Sequence, residues 1–396
     1  MIEAKTRAWW RATLALCLGS FLVFINLYAP QPLLPSLKET YQVSTLSVSL
    51  LMSVSTLSLA LALLVFGPLS DAIGREAIMR FTLLLAGGCS LALAFAPTFE
   101  SLLLLRLVQG FVLGGLPAVA IAWMGDEFEK QALLSAVGLY IGANSLGGIS
   151  GRIVGGAAAE VGGPTAAFLA VGAMTLAGCV VFWRLLPNSR AFVPQPFGLR
   201  KAVVDLLGHL RRPVLLAAYC LGGLNFLIFI NQYSYITFRL AATPYQLAAS
   251  GLGLIFLTYL GGTFGSTISG RLAERFSPAA CMMAGVMILM LGTAITLADS
   301  LVVIVIGLSI NAFGFFLAHS LASSWVGRYA QGARGSASAL YLVFYYVGAS
   351  LGGFWLEPFW QWSGWTGVTV GSWLVLSVTL IIAFNLWRFE RRHVIS

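Results

Sequence analysis

The most regular pattern along the chain is a series of apolar runs of about twenty residues, separated by short polar stretches. A helix needs about 20 apolar residues to cross the hydrocarbon core of a bilayer, so each run predicts a membrane-spanning helix. The pattern predicts twelve helices, near residues 12–29, 45–66, 77–96, 101–124, 132–157, 164–186, 213–238, 247–270, 279–297, 301–326, 335–357 and 365–387.

Short sequence signatures recur at a nearly constant separation. The stretch 25–28 returns at 230–233, an offset of 205, and 67–71 returns at 270–274, an offset of 203. Tyr140 and the glycines that follow it return at Tyr345, again 205 residues later. Three matches in one order predict a duplicated unit, which in an apolar chain is typical of transporters.

Composition agrees with a lipid environment, because 59% of the residues are hydrophobic and only 9% are charged. A soluble domain carries about 25% charged residues, so a soluble globular fold is excluded. Under the twelve-helix assignment, 19 of the 23 basic residues fall in the loops on the side that holds both termini. The positive-inside rule therefore predicts that both termini are cytoplasmic.

The stretch 187–212 is the one clear linker, since it contains three prolines and a cluster of basic residues. We therefore predict an N-terminal six-helix bundle over 1–186, a cytoplasmic linker over 187–212 and a C-terminal six-helix bundle over 213–396. The basic N-terminus and the apolar run to Tyr28 are followed by no A-x-A site, which predicts an uncleaved first membrane helix.

Several classes of ligand are not expected. The five cysteines lie singly in apolar runs, so we predict neither disulfides nor a metal site, and no cofactor. The basic residues form no single stripe, so nucleic acid is not an expected partner. The expected partners are the lipid bilayer, a small-molecule substrate and protons, and the expected state is a monomer.

One glycine-rich turn, between the second and third predicted helices, combines Gly67, Asp71, Gly74 and Arg75. Its acid can lie near a helix N-terminus, and its base can pair with a carboxylate such as Asp126 or Glu127 at the end of the fourth predicted helix. The alternative is an ordinary charged surface turn.

The turn resembles the signature loop G-x-L-[SA]-D-x-x-G-R-[KR] of the major facilitator superfamily, with Glu76 in the place of the final basic residue. A degenerate copy, which includes Glu274, runs from Gly270 to Arg275, where that family has its second copy. The resemblance implies an all-α polytopic fold of twelve transmembrane helices in two pseudo-symmetric six-helix bundles. Asp71 and Arg75 would then lock the contacts between helix ends during alternating access.

Three further stretches, 142–152, 316–325 and 339–346, resemble the YnfM-like group of bacterial inner-membrane exporters. The first is also loosely similar to the antiporter signature G-x-x-x-G-P-x-x-G-G, without its proline. This resemblance implies efflux of drug-like compounds or small sugars.

Four titratable residues fall within or at the ends of predicted helices: Arg106, Arg152, His319 and Glu357. Arg106 lies in a stretch that resembles a pattern of proton-coupled members, and it should face a wet or paired interior unless it snorkels to the surface. Arg152 and Glu357 lie 205 residues apart, at equivalent positions, and are predicted to form a gate. His319 is the first candidate for a proton-responsive group, ahead of Glu357, unless it is a neutral histidine bonded to a carbonyl or serine.

In the superfamily, the first, fourth, seventh and tenth helices line the substrate cavity. Helical spacing places aromatic and amide side chains on single faces of such helices, which suits an uncharged or amphipathic solute. The alternative is that these aromatic side chains simply pack on other helices. The predicted lining residues are Phe24, Asn26, Tyr28, Gln31, Asn225, Phe229, Gln232, Tyr235, Asn311, Phe315, Tyr341 and Tyr345.

The sequence therefore favours a secondary active transporter, with proton-coupled export of small organic molecules across the bacterial inner membrane as the first hypothesis. Nothing in the chain could bind or hydrolyse ATP, which favours an ion gradient as the energy source. The first helix has no acid, where many drug–proton antiporters carry one. A passive facilitator or importer of a small polar metabolite stays open, as does a membrane enzyme or receptor.

Overall fold

The computed structural model describes residues 1–189, 199–330 and 334–394. Regular structure in these ranges is helical, apart from an isolated bridge between Ile2 and Phe128. The all-helical prediction is confirmed. The α-helices are α1 (Arg7–Tyr28), α2 (Leu34–Tyr41), α3 (Thr45–Ile73), α4 (Arg75–Leu93), α5 (Phe99–Leu113), α6 (Gly115–Glu127), α7 (Lys130–Leu185), α8 (Leu199–Leu210), α9 (Pro213–Ala241), α10 (Ala249–Leu254), α11 (Tyr259–Phe276), α12 (Pro278–Ile295), α13 (Leu301–Tyr329) and α14 (Arg334–Val394).

Two helices are too long to cross a bilayer once. Helix α7 has 56 residues and α14 has 61, roughly 84 and 92 Å at 1.5 Å per residue, whereas the hydrocarbon core is about 30 Å thick. Each contains two residues with non-helical backbone angles, at 162–163 and 363–364. Gly163 has φ +69° and Gly364 has φ +55°, a region that favours glycine. Each long helix is therefore two spans joined at a glycine.

Counting the spans on this basis gives the predicted number. Among the described residues, ten helical segments are long and apolar enough to cross a membrane. Two of these are the long segments that contain the glycine breaks, so the total is twelve. The chain is a multi-pass membrane protein.

The predicted helix over 247–270 is interrupted. The structure has the short helix α10, a 3-10 turn over Ile255–Thr258 and then α11. The hydroxyl of Thr258 donates to the carbonyl oxygen of Ile255 at 2.7 Å, and the hydroxyl of Tyr233 contacts Thr258 at 2.7 Å. Apolar periodicity alone does not register a change from i+4 to i+3 hydrogen bonding.

The chain divides into two compact units. The first unit is Met1–Leu199 with Leu247–Leu254, and the second unit is Arg200–Gln246 with Ile255–Ser396. Residues 190–198, in the middle of the predicted linker, lie outside the described ranges. The domain limits 1–186, 187–212 and 213–396 stay a prediction.

Close helix contacts in the first unit depend on small residues. Helices α1 and α7 pack along three glycines of α7 that lie four residues apart, beginning at Gly147. A Cβ on Gly151 would lie 2.6 Å from the carbonyl oxygen of Ile25, and one on Gly155 would lie 2.6 Å from that of Ala29. Glycine at this spacing lets two helix backbones approach closely in a membrane protein.

Candidate functional site

The glycine-rich turn of the first unit is held by ion pairs. Gly74, with φ +99°, separates α3 from α4. Arg75 donates to Asp71 Oδ1 at 2.9 Å and also pairs with Asp126 at the end of α6. Gly67 lies one turn earlier on α3. The structure thus brings the predicted carboxylates Asp71 and Asp126 to one guanidinium, while the role of the loop in transport stays a prediction.

The second copy of the loop is built differently. Ser277 takes the position of Gly74 and has φ +84°, and its hydroxyl caps α12. Gly270 lies in α11 with open space around it. Glu274 is exposed, and among the described residues it makes no ion pair. The position that corresponds to Arg75 is Pro278, so the central cation of the first loop has no counterpart.

Glu76, which departs from the family signature, binds the segment that follows α7. Glu76 accepts a hydrogen bond from the backbone N–H of Ser189, and Glu127 accepts one from the Ser189 hydroxyl. Arg80 lies 3.7 Å from Glu76 and donates to the carbonyl oxygen of Leu186 at 3.2 Å. Two carboxylates therefore hold the chain that leaves α7, a contact that the sequence pattern did not reveal.

Arg106 lies fully buried inside the first unit, and not at a lipid-facing surface. Its guanidinium donates to the carbonyl oxygens of Asn26 at 3.1 Å and Leu27 at 3.0 Å on α1. It also donates to the Leu51 carbonyl at 3.2 Å and to Gln109 Oε1 at 2.6 Å. Every acceptor is a neutral oxygen.

The end of α1 explains why these carbonyl oxygens are available. Helix α1 ends at Tyr28, and its last carbonyls lack partners further along the helix. The residue four positions after Asn26 is Pro30, which has no backbone N–H to donate. The negative end of the α1 dipole also points at the guanidinium. Arg106 thus caps a helix that proline interrupts.

A neutral polar cluster surrounds this cap. The amide of Asn26 donates to Thr175 at 2.7 Å, and its oxygen accepts from Ser90 and from Gln109, the latter at 3.3 Å. Gln109 also donates to Ser90 at 2.7 Å. Both atoms of the Asn26 amide are therefore engaged within the first unit, although the sequence analysis placed this residue in the substrate cavity.

Arg152 lies one turn after Gly148 on α7 and is also buried. Its guanidinium donates to Gln31 Oε1 at 2.8 Å and to the Gly148 carbonyl at 2.9 Å, and it lies 4.1 Å from the centre of the Tyr28 ring. The Tyr28 ring in turn stacks on Phe24 at 6.1 Å. Two predicted lining residues, Gln31 and Tyr28, thus contact this arginine, and a third, Phe24, packs on Tyr28. Its pairing with Glu357 stays a prediction.

The second unit contains an equivalent cluster. Asn311 donates to Gln232 Oε1 at 2.8 Å and to Thr293 at 2.9 Å, and Gln232 donates to Thr293 at 3.1 Å. Helix α5 begins after its N-cap Thr98, and the corresponding helix α13 begins after its N-cap Ser300, so the two helices align at an offset of 202. Sequence reasoning missed Ser90 and Thr293, which lie 203 residues apart, and the repeat offset was the signal that could have found them.

The same alignment defines one difference between the two clusters. An offset of 202 matches Gln109 with Asn311, and it matches Arg106 with Leu308. The second cluster therefore has the amide and the hydroxyl of the first but not its cation.

An aromatic stack follows the amide cluster in the second unit. The rings of Phe229 and Phe315 are parallel within 2° at 3.9 Å, and those of Phe226 and Tyr345 are parallel within 11° at 3.6 Å. His319 stacks on Phe315 at 5.7 Å. Phe229 and Phe315, both predicted cavity residues, pack against each other.

His319 and Tyr341 form a pair beside this stack. Nδ1 of His319 lies 2.9 Å from the Tyr341 hydroxyl, which also approaches the His319 carbonyl at 3.3 Å. A hydroxyl is both donor and acceptor, so it can accompany either tautomer of the imidazole.

Glu357 is a buried carboxyl group held by neutral partners. The Tyr235 hydroxyl donates to Glu357 Oε2 at 2.6 Å, and Gln361 donates to Oε1 at 2.9 Å. Tyr235 is a predicted lining residue, whereas Gln361 was not predicted. None of the ion pairs within the described part of the second unit involves Glu357.

The part of the chain that the structure describes contains no group of three or more His, Cys, Asp or Glu that could hold a metal ion.

Comparison with known proteins identifies the family. The Major Facilitator Superfamily profile matches residues 16–353. The chain is 37% identical over 386 residues to YybF, an MFS-type transporter of Bacillus subtilis (strain 168), covering 98% of this chain and 94% of the relative. It is 35% identical over 387 residues to the inner membrane transport protein YnfM of Escherichia coli (strain K12), covering 98% and 93%.

A more distant relative is the chloramphenicol resistance protein CraA of Acinetobacter baumannii, 24% identical over 329 residues, which cover 79% of this chain and 78% of that protein. The crystal structure of a bacterial homologue of the human lysosomal transporter Spinster, inward-facing and unoccupied, matches with a TM-score of 0.76 at 16% identity, covering 97% of this chain and 96% of that one. The chain therefore belongs to the major facilitator superfamily and is a secondary transporter with that all-helical, multi-span fold, not an enzyme.

Proposed function

We propose that the protein exports small organic molecules across the bacterial inner membrane in exchange for protons, by alternating access. The observation that carries this proposal is the buried carboxyl group of Glu357, which has a tyrosine hydroxyl and an amide as its partners. The Tyr235 hydroxyl can donate to a carboxylate or accept from a carboxylic acid. The same site can therefore hold the group with or without a proton.

Glu357 is the stronger candidate for proton coupling because its hydrogen-bond partners in the described part of the second unit, Tyr235 and Gln361, are both neutral. A buried carboxyl group without a cation is costly unless it has a use, and ionisable groups inside membrane spans are functional candidates by default. His319 has an analogous tyrosine partner and remains the second candidate. Each of the two is paired with a hydroxyl that tolerates a change of protonation.

Positions in the spans support an exchange of protons against substrate. Helix α14 begins at Arg334 and its glycine break lies at 363–364, so Glu357 is near the far end of its first span. With both termini in the cytoplasm, as we propose, that end is periplasmic. His319 lies in the later half of α13, which ends at Tyr329 on the cytoplasmic side. A proton would then enter at Glu357 from outside.

The transported class is proposed as uncharged or amphipathic organic molecules. The support is the set of neutral amides and stacked rings in the second unit, together with two relatives named for inner-membrane transport and chloramphenicol resistance. Small sugars also suit amide groups. Import or passive facilitation of a polar metabolite is the competing function.

Transport in reconstituted liposomes tests the proposal. A counterflow screen of chloramphenicol, sugars and cationic dyes first selects a transported probe. Accumulation of that probe should require an imposed proton gradient and should collapse when a protonophore is added. Transport that only equilibrates the probe and ignores the protonophore would favour a passive facilitator and would overturn the proposal.

Glu357→Gln locates the coupling residue. Glutamine can still bond to Tyr235 but cannot release a proton, so gradient-driven accumulation should fall at least about tenfold while counterflow is retained. His319→Gln is the matched comparison: whatever its affinity for the probe, the accumulation it supports should still depend on the proton gradient. The opposite result would transfer the role to His319.

A reporter that is active only in the periplasm, fused after Ser396, should be silent, because the proposal requires cytoplasmic termini.

A further inference from the structure

Side chains of helices α9 and α13 in the second unit meet in successive pairs along the two helices, and each pair is called a level. Gln232 bonds to Asn311, and Phe229 stacks on Phe315. The next level lies four residues earlier on α9 and four residues later on α13, because the two helices run in opposite directions. The residues at that level are Asn225 and His319.

The Asn225 amide of this third level is buried and has no partner in the part of the chain that the structure describes, unlike most buried polar groups, whereas His319 is half-buried. Asn225 is 1% exposed, and neither its amide nitrogen nor its amide oxygen has a hydrogen bond among the described residues. The only side-chain hydrogen bond of His319 within the described residues is made by Nδ1, which leaves Nε2 without one. More than nine in ten buried polar groups in proteins are bonded, so an amide with neither atom bonded calls for a ligand or ordered water.

Flat apolar surfaces adjoin these polar atoms. Phe226, next to Asn225 in the chain, stacks on Tyr345 and lies 5.7 Å from Phe315. The His319 ring centre lies 4.7 Å from that of Tyr345. Aromatic rings favour offset stacking with other planar groups. The third level therefore combines unpaired donors and acceptors with planar walls.

We propose that Asn225 and Nε2 of His319 are the polar anchors of a substrate subsite in the second unit. The subsite takes a neutral planar molecule that carries a hydrogen-bond donor and an acceptor side by side, such as an aromatic carboxamide. The amide of Asn225 offers one donor and one acceptor to match that pair. The side chains of this level are amide, imidazole and aromatic, so a charged ligand would find no counter-charge there. This inference rests on the proposed export of small organic molecules and names their class.

Equilibrium binding to the purified full-length protein tests the subsite with three probes of one shape. They are 4-nitrobenzamide, the anion 4-nitrobenzoate and the cation 4-nitrobenzylamine, measured by calorimetry and saturation-transfer NMR. The amide should bind at least tenfold more tightly than either ion. Equal binding of all three probes, or binding of none, would overturn the substrate class.

Two variants test the anchors. Asn225→Leu should weaken 4-nitrobenzamide binding at least tenfold and leave the melting temperature of the free protein unchanged or higher, since no internal hydrogen bond is lost. His319→Phe keeps the ring stacking and removes Nε2, so it should weaken binding to a similar degree. If Asn225→Leu does not fold, His319→Phe decides the outcome by itself.

Asn231→Leu is the matched control. Its amide donates to the Ala349 carbonyl at 2.8 Å and to the Leu227 carbonyl at 2.9 Å, so this variant should melt at a lower temperature and still bind the probe. If Asn225→Leu behaves as Asn231→Leu does, Asn225 holds bridging water only and the subsite is refuted. Binding needs no proton gradient, so protonophore-insensitive transport would refute the proposed coupling and leave the subsite standing.

Discussion

The two halves of the chain contain equivalent buried polar clusters, but only the first is built around a charge. The amide and hydroxyl positions correspond at offsets of 202 and 203, whereas Arg106 corresponds to Leu308. The neutral hydrogen bond between an amide and a hydroxyl therefore recurs in both units, but the third member differs, because the offset of 205 matches Asn26 with Asn231 and not with Gln232. The cation is a feature of one copy.

The difference follows from where a helix is broken. Helix α1 ends at Tyr28, and Pro30 deprives the Asn26 carbonyl of its donor. The equivalent helix α9 continues through Tyr235 to Ala241, so the corresponding carbonyl keeps its helical partner. A cation can be buried in the first unit because a helix end offers free carbonyls and a negative dipole. In the described part of the second unit, α9 is unbroken and offers no free carbonyls, so the apolar Leu308 occupies the position that corresponds to Arg106.

The largest expected effect is that of placing the cation in the second cluster. Leu308→Arg would bury a guanidinium where no carbonyls are free, at a penalty of several kcal/mol. We expect loss of the folded, monodisperse protein in size-exclusion chromatography, while Leu308→Met should behave as the wild type does. A wild-type melting temperature for Leu308→Arg would refute the explanation from the broken helix.

Removal of the cation from the first cluster should have the next largest effect. Arg106→Leu leaves the carbonyls of Asn26 and Leu27 buried without donors, which should lower the free energy of unfolding by about 3 kcal/mol. The free energy of unfolding of Arg106→Lys should lie between those of Arg106→Leu and the wild type, because an ammonium group lacks the planar set of N–H donors of a guanidinium. Thermal melting in detergent measures both. Equal stability of Arg106→Leu and wild type would show that the cap is dispensable.

The two loop copies should differ in their effect on transport. Asp71→Asn weakens one of the two ion pairs of Arg75, a charge-assisted contact worth about 1–3 kcal/mol, so transport should slow about tenfold with little loss of expression. Glu274→Gln, in the copy without an ion pair, should stay within about twofold of wild type, since exposed charges contribute little. Near-normal transport by folded Asp71→Asn protein would exclude a conformational role for the first loop.

The smallest effect is the sharpest test of the cap. Pro30→Ala restores a backbone N–H four residues after Asn26, so it should recover about 1 kcal/mol in the Arg106→Leu background. The same change in the wild type should gain less, because Arg106 already occupies the carbonyl. A double-mutant cycle measures this coupling. Simple additivity of the two changes would indicate that proline and arginine act independently.

The sequence by itself determined the number of spans, the duplication and the family. These properties depend on the lengths of apolar runs and on spacing along the chain, which folding does not alter. The sequence also indicated Asp126 as a carboxylate partner of Arg75, whereas the ion pair with Asp71 crosses the break at Gly74 and depends on the folded turn. Even the glycine breaks at 162–163 and 363–364 fall between predicted helices.

Only the tertiary structure decided how the buried polar groups are paired. Arg106 and Asn26 are 80 positions apart, and Asn311 and Gln232 are 79 apart, so no local pattern indicates that they meet. The sequence analysis assigned both Asn26 and Asn225 to the substrate cavity, yet one amide is fully bonded and the other is not. The reason is physical: a hydrogen bond requires a partner at about 3 Å in the right direction, and that partner comes from another helix.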